Sequence, residues 1–168
     1  MKVAVYSGSF DPITKGHQDI IRKSLEIVDK IIVVVVGNVN KKYWFDLEER
    51  KQMIETVMTD LSDRIEVKSC NGLLVDFMAM NNINIIIRGL RAVSDYEYEL
   101  AYAFNNNDLS YGKVQTIFLP ASREYMYHSS SAVREAATAG AELSFFADSR
   151  LIDIIKKRAE GLSLNNKL

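Results

Sequence analysis

Lys2-Val3-Ala4-Val5-Tyr6-Ser7-Gly8-Ser9-Phe10-Asp11-Pro12-Ile13-Thr14-Lys15-Gly16-His17 is the stretch that decides the fold. Residues 2–6 read as a short strand. From Gly16 to Asp29 the apolar residues Ile20, Ile21, Leu25 and Val28 recur at helical spacing. A strand therefore hands over directly to a helix, through a turn that holds Gly8, Ser9, Thr14, Gly16 and His17. The same alternation continues downstream. Residues 31–36 are β-branched throughout, and a strand apolar on both faces belongs in a covered parallel sheet. Residues 47–61 are helical, with Glu48 and Glu49 in the first turn where the helix dipole favours acids. Strands are predicted at 65–68, 83–87 and 114–119. Helices are predicted at 73–80, 95–109, 129–139 (stopped by Gly140) and 151–158. Five strands with intervening helices predict an α/β fold: a doubly wound, five-stranded parallel sheet with helices on both faces. No repeat, linker or low-complexity block divides the chain. The expectation is one domain over 1–160 and a frayed polar tail over 161–168.

Composition supports a folded, soluble chain and excludes several classes. The 168 residues are 48% hydrophobic and 26% charged, which rules out a disordered polymer. A domain of this size buries roughly 68–70% of its unfolded surface. Lys+Arg is 21 and Asp+Glu 22, for a net charge of −1. That balance argues against a broad face for nucleic acid or an anionic membrane. One cysteine excludes an intrachain disulfide, and with two histidines it argues against an all-protein zinc cage. The opening apolar run stops at Ser7-Gly8, too soon for a signal-peptide core, and residues 31–36 fall far short of the ~20 that span a bilayer. The expectation is a cytoplasmic protein with a reduced thiol.

In doubly wound sheets, ligands bind at the carboxyl ends of the strands, where the strand order reverses. After the first strand, Thr14 is placed to cap the helix and Gly16 and His17 to enter its first turn, where free N–H groups attract phosphate. A surface histidine on a tight turn is the alternative for any one of these residues; the joint pattern favours the phosphate site. After the second strand come Asn38, Asn40, Lys41 and Lys42; two lysines at a strand end suit anionic oxygens, although taken alone a solvated loop charge pair is the favoured reading. After the third come Leu73 and Leu74, read as core, with a backbone contact to ligand as the alternative. After the fourth comes Arg88-Gly89-Leu90-Arg91, and arginine forks bind phosphate bidentately. Asp95, Glu97 and Glu99 open the next helix, with one of them free to face the site. After the fifth comes Tyr125-Met126-Tyr127-His128-Ser129-Ser130-Ser131, whose serines offer caps and a cluster of N–H donors.

These residues resemble the nucleotidyltransferase superfamily marked by a (Thr/His)-x-Gly-His motif, here Thr14-Lys15-Gly16-His17. Within it they are most similar to the bacterial phosphopantetheine adenylyltransferases. The similarity is carried by residues 8–17, by Leu-Glu-Glu-Arg at 47–50, by Ile-Arg-Gly-Leu-Arg-Ala-Val at 87–93, by Asp-Tyr-Glu-Tyr-Glu at 95–99 and by Ser-Ser-Ser-Ala-Val-Arg at 129–134. The resemblance implies a Rossmann-like fold. It also implies transfer of the adenylyl group of ATP to 4′-phosphopantetheine, giving dephospho-coenzyme A and pyrophosphate, with magnesium, a homohexamer and feedback by coenzyme A. It implies that His17 stabilises the transition state, with Lys41 and Arg91 also catalytic. Its ATP positions are Ser9, Phe10, His17, Gly89, Leu90, Arg91, Glu99, Tyr125, Met126, Tyr127, His128, Ser129, Ser130 and Ser131. Its phosphopantetheine positions are Ser9, Lys41, Leu74 and Arg88. Three places depart from the family pattern. Ser7-Gly8-Ser9 stands for a common Pro-Gly-Thr, His128 for isoleucine, and Tyr125 for tryptophan.

The chemistry fits these residue types. A phosphate monoester has a second pKa of about 6, so the nucleophile is already mostly dianionic at neutral pH and needs no general base. The task is to hold two polyanions in line and to stabilise charge at the transferred phosphorus. Magnesium is expected mainly on ATP phosphates and water. An acceptor such as nicotinamide mononucleotide, or a non-catalytic nucleotide-binding role, is the competing reading.

Overall fold

The computed structural model describes residues 1–37 and 41–165; Asn38 and Asn40 lie outside the described residues. Strands β1 (Val3–Gly8), β2 (Lys30–Val36), β3 (Ile65–Cys70), β4 (Ile85–Leu90) and β5 (Gln115–Pro120) form one parallel sheet in the order β3-β2-β1-β4-β5. Helices α1 (Lys15–Ser24), α2 (Leu47–Val57), α3 (Leu74–Met80), α4 (Val93–Leu109), α5 (Ser130–Thr138) and α6 (Ile152–Asn165) connect and cover it. This is the doubly wound, Rossmann-like sheet that the alternation predicts. The order reverses between β1 and β4, so the carboxyl ends of these two strands flank the natural ligand crevice.

Period-two alternation sorts the strand residues between two cores. Ala4, Tyr6, Ile31, Val33, Val35 and Ile87 face α1, α2, α5 and α6. Val5, Ile32, Val34 and Ile86 face α3 and α4. The run of β-branched residues in β2 is thus explained, because both of its faces are covered. Among the described residues, no helix is long and apolar enough to cross a membrane.

Boundaries differ from expectation where pairing outruns hydrophobicity. β1 continues to Gly8 because Ser7 and Gly8 still pair with Val34 and Val35. β4 begins at Ile85 and includes Arg88, Gly89 and Leu90, which pair with Phe118, Leu119 and Pro120. Arg88 therefore stands within the strand rather than after it. α2 ends at Val57, and residues 59–61 form a separate 3₁₀ turn. α6 runs to Asn165, through the stretch expected to fray; Ala159 is buried, and Ser163 Oγ donates to its carbonyl at 3.0 Å.

Ile87 lies fully buried in β4, in the core formed with α1, α2, α5 and α6. Ile87→Ala is expected to cost about 2–5 kcal/mol of folding stability by lost transfer energy and cavity formation. Urea unfolding checks this through a lowered midpoint at constant slope; an unmoved midpoint contradicts the core assignment.

Candidate active site

The carboxyl ends of β1 and β4 open into a cleft of about 260 Å³, walled on its other sides by the first turn of α1, the start of α5 and the Lys41 loop. Its geometry starts with the α1 cap. Thr14 is the N-cap, and its Oγ1 accepts the His17 N–H at 3.3 Å. In return the Thr14 N–H donates to His17 Nδ1 at 3.0 Å. A ring nitrogen that accepts a backbone N–H has no proton, so the neutral imidazole carries its proton on Nε2. Phe10 packs edge-on against the ring, with centroids 5.1 Å apart. Burial, and then the charges of Arg91 and Arg88, pull the His17 pKa down from 6.5 to about 3. The imidazole is thus neutral at neutral pH, with a donor and no lone pair at Nε2.

Two glycines make this packing possible. A Cβ on Gly16 would lie 3.2 Å from the His128 carbonyl oxygen and 3.3 Å from its Cβ, so the start of α5 would have to give way by a few tenths of an ångström. A Cβ on Gly8 would meet the Phe10 ring at 2.9 Å. Gly8 thus admits a side chain of this chain, where the sequence alone suggested close approach of a ligand. Phe10 itself turns through φ 49°, a left-handed conformation rare for an aromatic residue.

The cations divide by how firmly they are held. Arg88 closes its fork on Glu99, Nε to Oε2 at 2.6 Å and Nη2 to Oε1 at 2.7 Å. Its Nη1 donates to the Ser7 carbonyl at 2.6 Å, and the guanidinium lies 4.7 Å from the Tyr102 ring centroid. Burial works against its charge, but the Glu99 carboxylate outweighs burial and raises the pKa. The pair is only 16% and 12% exposed, and breaking such a pair leaves a charge stranded. Arg91 is 40% exposed and pairs with Asp95 at 3.0 Å. Surface pairs of this kind are worth about 0–1 kcal/mol, so Arg91 is free to exchange Asp95 for a phosphate. Lys41 Nζ lies 3.3 Å from Ser9 Oγ on the far side of β1.

α5 begins in the cleft. Ser129 caps it by accepting the Ala132 N–H at 3.0 Å. Ser130 Oγ donates to the Pro12 carbonyl at 2.8 Å. Ser131 Oγ accepts from Arg134 Nη2 at 3.2 Å. The His128 ring is buried against Tyr125, Phe145 and Phe146, and neither ring nitrogen has a hydrogen-bond partner. Burial, helped by the charge of Lys15, lowers its pKa against a smaller opposing effect of Glu124. Its carbonyl accepts from Thr14 Oγ1 at 3.3 Å. Among its polar groups the backbone is thus the one joined to the α1 cap, while the ring fills an aromatic pocket as a hydrocarbon would.

The expected residues separate cleanly. Ser9, Phe10, His17, Lys41, Arg88, Gly89, Arg91, Glu99, His128, Ser129, Ser130 and Ser131 border the cleft. Leu74, Leu90, Tyr125, Met126 and Tyr127 do not. Leu74 is buried in the α3 core beside Val75 and Met78. Tyr127 is exposed, and Tyr125 contributes its ring to the His128 pocket. Sequence reasoning missed Asp11, Arg50 and Asp19. Arg50 Nη1 donates to the carbonyls of Ser9 at 2.7 Å and Val36 at 3.2 Å, pinning the ends of β1 and β2 together. Asp19 accepts the N–H and Oγ of Ser122, each at 2.9 Å, and anchors the loop after β5. Asp11 and Arg50 lay within quoted motifs without being given a role; Asp19 carried no linear signal.

Comparison with known proteins agrees with this geometry. A cytidylyltransferase-like family model matches residues 5–136. A phosphopantetheine adenylyltransferase of Fusobacterium nucleatum is 52% identical over 160 residues, covering 95% of this chain and 98% of the relative. The chain belongs to the phosphopantetheine adenylyltransferase family. Another relative of that name, from Thermotoga neapolitana, is 46% identical over 142 residues, covering 84% of this chain and 87% of its own. A third, from Clostridium perfringens, is 43% identical over 162 residues, covering 96% and 98%. Among solved structures, a Plasmodium falciparum nicotinic acid mononucleotide adenylyltransferase superposes with a TM-score of 0.71 at 18% identity, covering 93% of this chain and 95% of that one. A putative nicotinate-nucleotide adenylyltransferase of Vibrio parahaemolyticus gives 0.67 at 16% identity, covering 94% and 96%. These two establish the shared fold. As a member of its family the chain is an enzyme, a nucleotidyltransferase of coenzyme A biosynthesis.

The His17 pKa lies below its unfolded value, so the unfolded chain binds a proton that the folded chain refuses. The stability this group contributes is complete above about pH 6.5 and is lost as pH falls from there toward 3. The prediction is that the His17 ring resonances, followed by NMR, do not shift between pH 8 and 5. A midpoint near 6.5 contradicts the buried neutral imidazole.

Proposed function

We propose that this phosphopantetheine adenylyltransferase performs its reaction in the β1/β4 cleft, with one of the acceptor's phosphate oxygens attacking the α-phosphorus of ATP. A new P–O bond forms there, the bond from that phosphorus to the bridging oxygen breaks, and pyrophosphate leaves with the electron pair. The products are 3′-dephospho-coenzyme A and pyrophosphate. The single observation that carries this reading is the Thr14–His17 lock, which leaves an Nε2–H donor in the cleft. An imidazole in that form cannot act as base or nucleophile at Nε2. It can donate to the α-phosphoryl oxygens as charge builds there.

The other roles follow from reach and charge. Lys41 and Ser9 hold the acceptor phosphate at the end of β1. Arg91 leaves Asp95 for the β/γ-phosphates, and the N–H groups opening α5 face the same anion. Arg88 and Glu99 form a rigid wall between the two sites. Magnesium would be held mainly by the ATP phosphates and water. Two of the cleft's carboxylates are committed, Asp11 to two backbone N–H groups and Glu99 to Arg88, which leaves Asp95 as the single one released when Arg91 moves to phosphate. This donor set suits an ion held by phosphate oxygens and water, which when bound offsets triphosphate charge. A homohexamer in the cytoplasm, with feedback by coenzyme A, completes the proposal; exposed Tyr98 and Phe104 on α4 support burial against a second copy.

Incubation with ATP, magnesium and phosphopantetheine is expected to yield dephospho-coenzyme A by mass, with no adduct when nicotinamide mononucleotide replaces the acceptor; the opposite preference overturns the reading. His17→Ala is expected to lower kcat by about 10²–10³ with little change in ATP affinity. Steady-state kinetics beside calorimetric binding checks it, and a lost ATP affinity at unchanged kcat refutes the assigned role. Lys41→Ala is expected to weaken phosphopantetheine binding by about 10- to 100-fold, the worth of one charge-assisted hydrogen bond, and to spare ATP.

A further inference from the structure

Asp11 borders the cleft, and its carboxylate is among the most buried polar groups of the described residues, with the residue 1% exposed. Oδ1 accepts the Phe45 N–H at 2.9 Å and Oδ2 the Trp44 N–H at 3.0 Å. Those amides belong to the loop that carries Lys41. From the opposite side, Arg134 of α5 brings Nη1 to 2.5 Å from the Asp11 carbonyl oxygen and 3.5 Å from Oδ2. The same guanidinium braces Ser131 through Nη2. One residue therefore grips both the Lys41 loop and the arginine behind the start of α5.

We propose that Asp11 is a positioning residue that couples the two substrate sites, so that occupation of either one strengthens binding at the other. The inference rests on the assignment of Lys41 to the acceptor phosphate and of the α5 serines to the ATP phosphates. Its sign is informative, because simple Coulomb repulsion between two polyanions predicts the reverse. A carboxylate only accepts hydrogen bonds, and two consecutive backbone donors fix the direction of this one. It cannot turn without stranding a buried N–H. An anion that bonds the start of α5 thus restrains Ser131 and Arg134 where they already stand, and with them the carboxylate. The carboxylate in turn seats Trp44, Phe45 and the loop that presents Lys41. The first ligand bears the ordering cost, and the second meets a site already ordered. Linkage makes the effect equal in both directions.

The test uses α,β-methylene ATP, whose bridge cannot be broken, so that the ternary complex persists. Calorimetry gives the Kd of phosphopantetheine with and without this analogue, and of the analogue with and without phosphopantetheine. In the unaltered enzyme each ligand is expected to tighten the other by the same factor, about fivefold or more. Asp11→Asn keeps the volume but turns an NH₂ group against one of the two backbone donors; coupling is expected to fall to about one, by more than either binary Kd changes. If this variant does not fold, Arg134→Lys serves. A single ammonium cannot span both the Asp11 carbonyl and the Ser131 hydroxyl, and the same loss of coupling is expected. Independent binding in the unaltered enzyme overturns the proposal. So does full coupling in a folded variant whose binary affinities are merely weakened, since that result marks a structural role only. Failure of either ligand to bind the unaltered enzyme is a different result: it refutes the site assignment itself, and the proposal with it.

Discussion

The hydrogen bond from the Thr14 N–H to His17 Nδ1 is the constraint on which the site depends. It satisfies a donor that would otherwise be orphaned at the start of α1, as reciprocal caps do. Here a histidine takes the place that a glutamate or glutamine usually fills, and the substitution has a chemical consequence. The cap decides the tautomer. A feature that begins a helix also sets which atom of the imidazole bears the proton, and burial keeps the ring from taking up a second one. Helix initiation and the tautomer of the cleft's imidazole are thus set by one interaction. Gly16, between the two partners, lets the carbonyl of His128 approach, so the start of α5 is registered to the same cap.

Electrostatics in the cleft is arranged by burial rather than by sum. The chain's net charge of −1 says little, because the decisive cations sit at strand ends and each already has a partner. Arg88 and Glu99 are shielded enough that their pairing is structural. Arg91 and Asp95 are open enough that exchange costs little. The proposed site for two polyanions uses both kinds: fixed charge to define the wall, and exchangeable charge to meet phosphates without a stranded cation beforehand.

Much of this was legible in the linear sequence, for physical reasons. The β-branched run of β2 required cover on both faces, and the strand-to-helix handover at 8–17 located the crevice. Thr14, Gly16 and His17 were readable because caps and first-turn positions are local. Arg88 was identified but misplaced, since a charged residue ended the hydrophobic signal while the ladder continued to Leu90. The tail beyond Gly161 looked frayed because its polarity masked a helix held by packing of the preceding turn. The roles of Asp11, though it sits in the 8–17 motif, and of Asp19 were not legible. Their partners are Trp44 and Phe45 in one case and Ser122 in the other, far away in sequence, and nothing local distinguishes a buried loop acid from a solvated one. The role of the His128 ring was equally hidden, because three aromatic neighbours from two segments define it.

The central proposal is that His17 donates a hydrogen bond from Nε2–H to the oxygens of the transferred phosphoryl group and forms no covalent bond to its phosphorus. The stereochemical course at the α-phosphorus tests this most directly, using ATP made chiral there by a single sulfur substitution. One in-line displacement by the acceptor phosphate predicts inversion of configuration in the dephospho-coenzyme A analogue. Retention would mean two displacements through an adenylylated side chain, and would contradict the account.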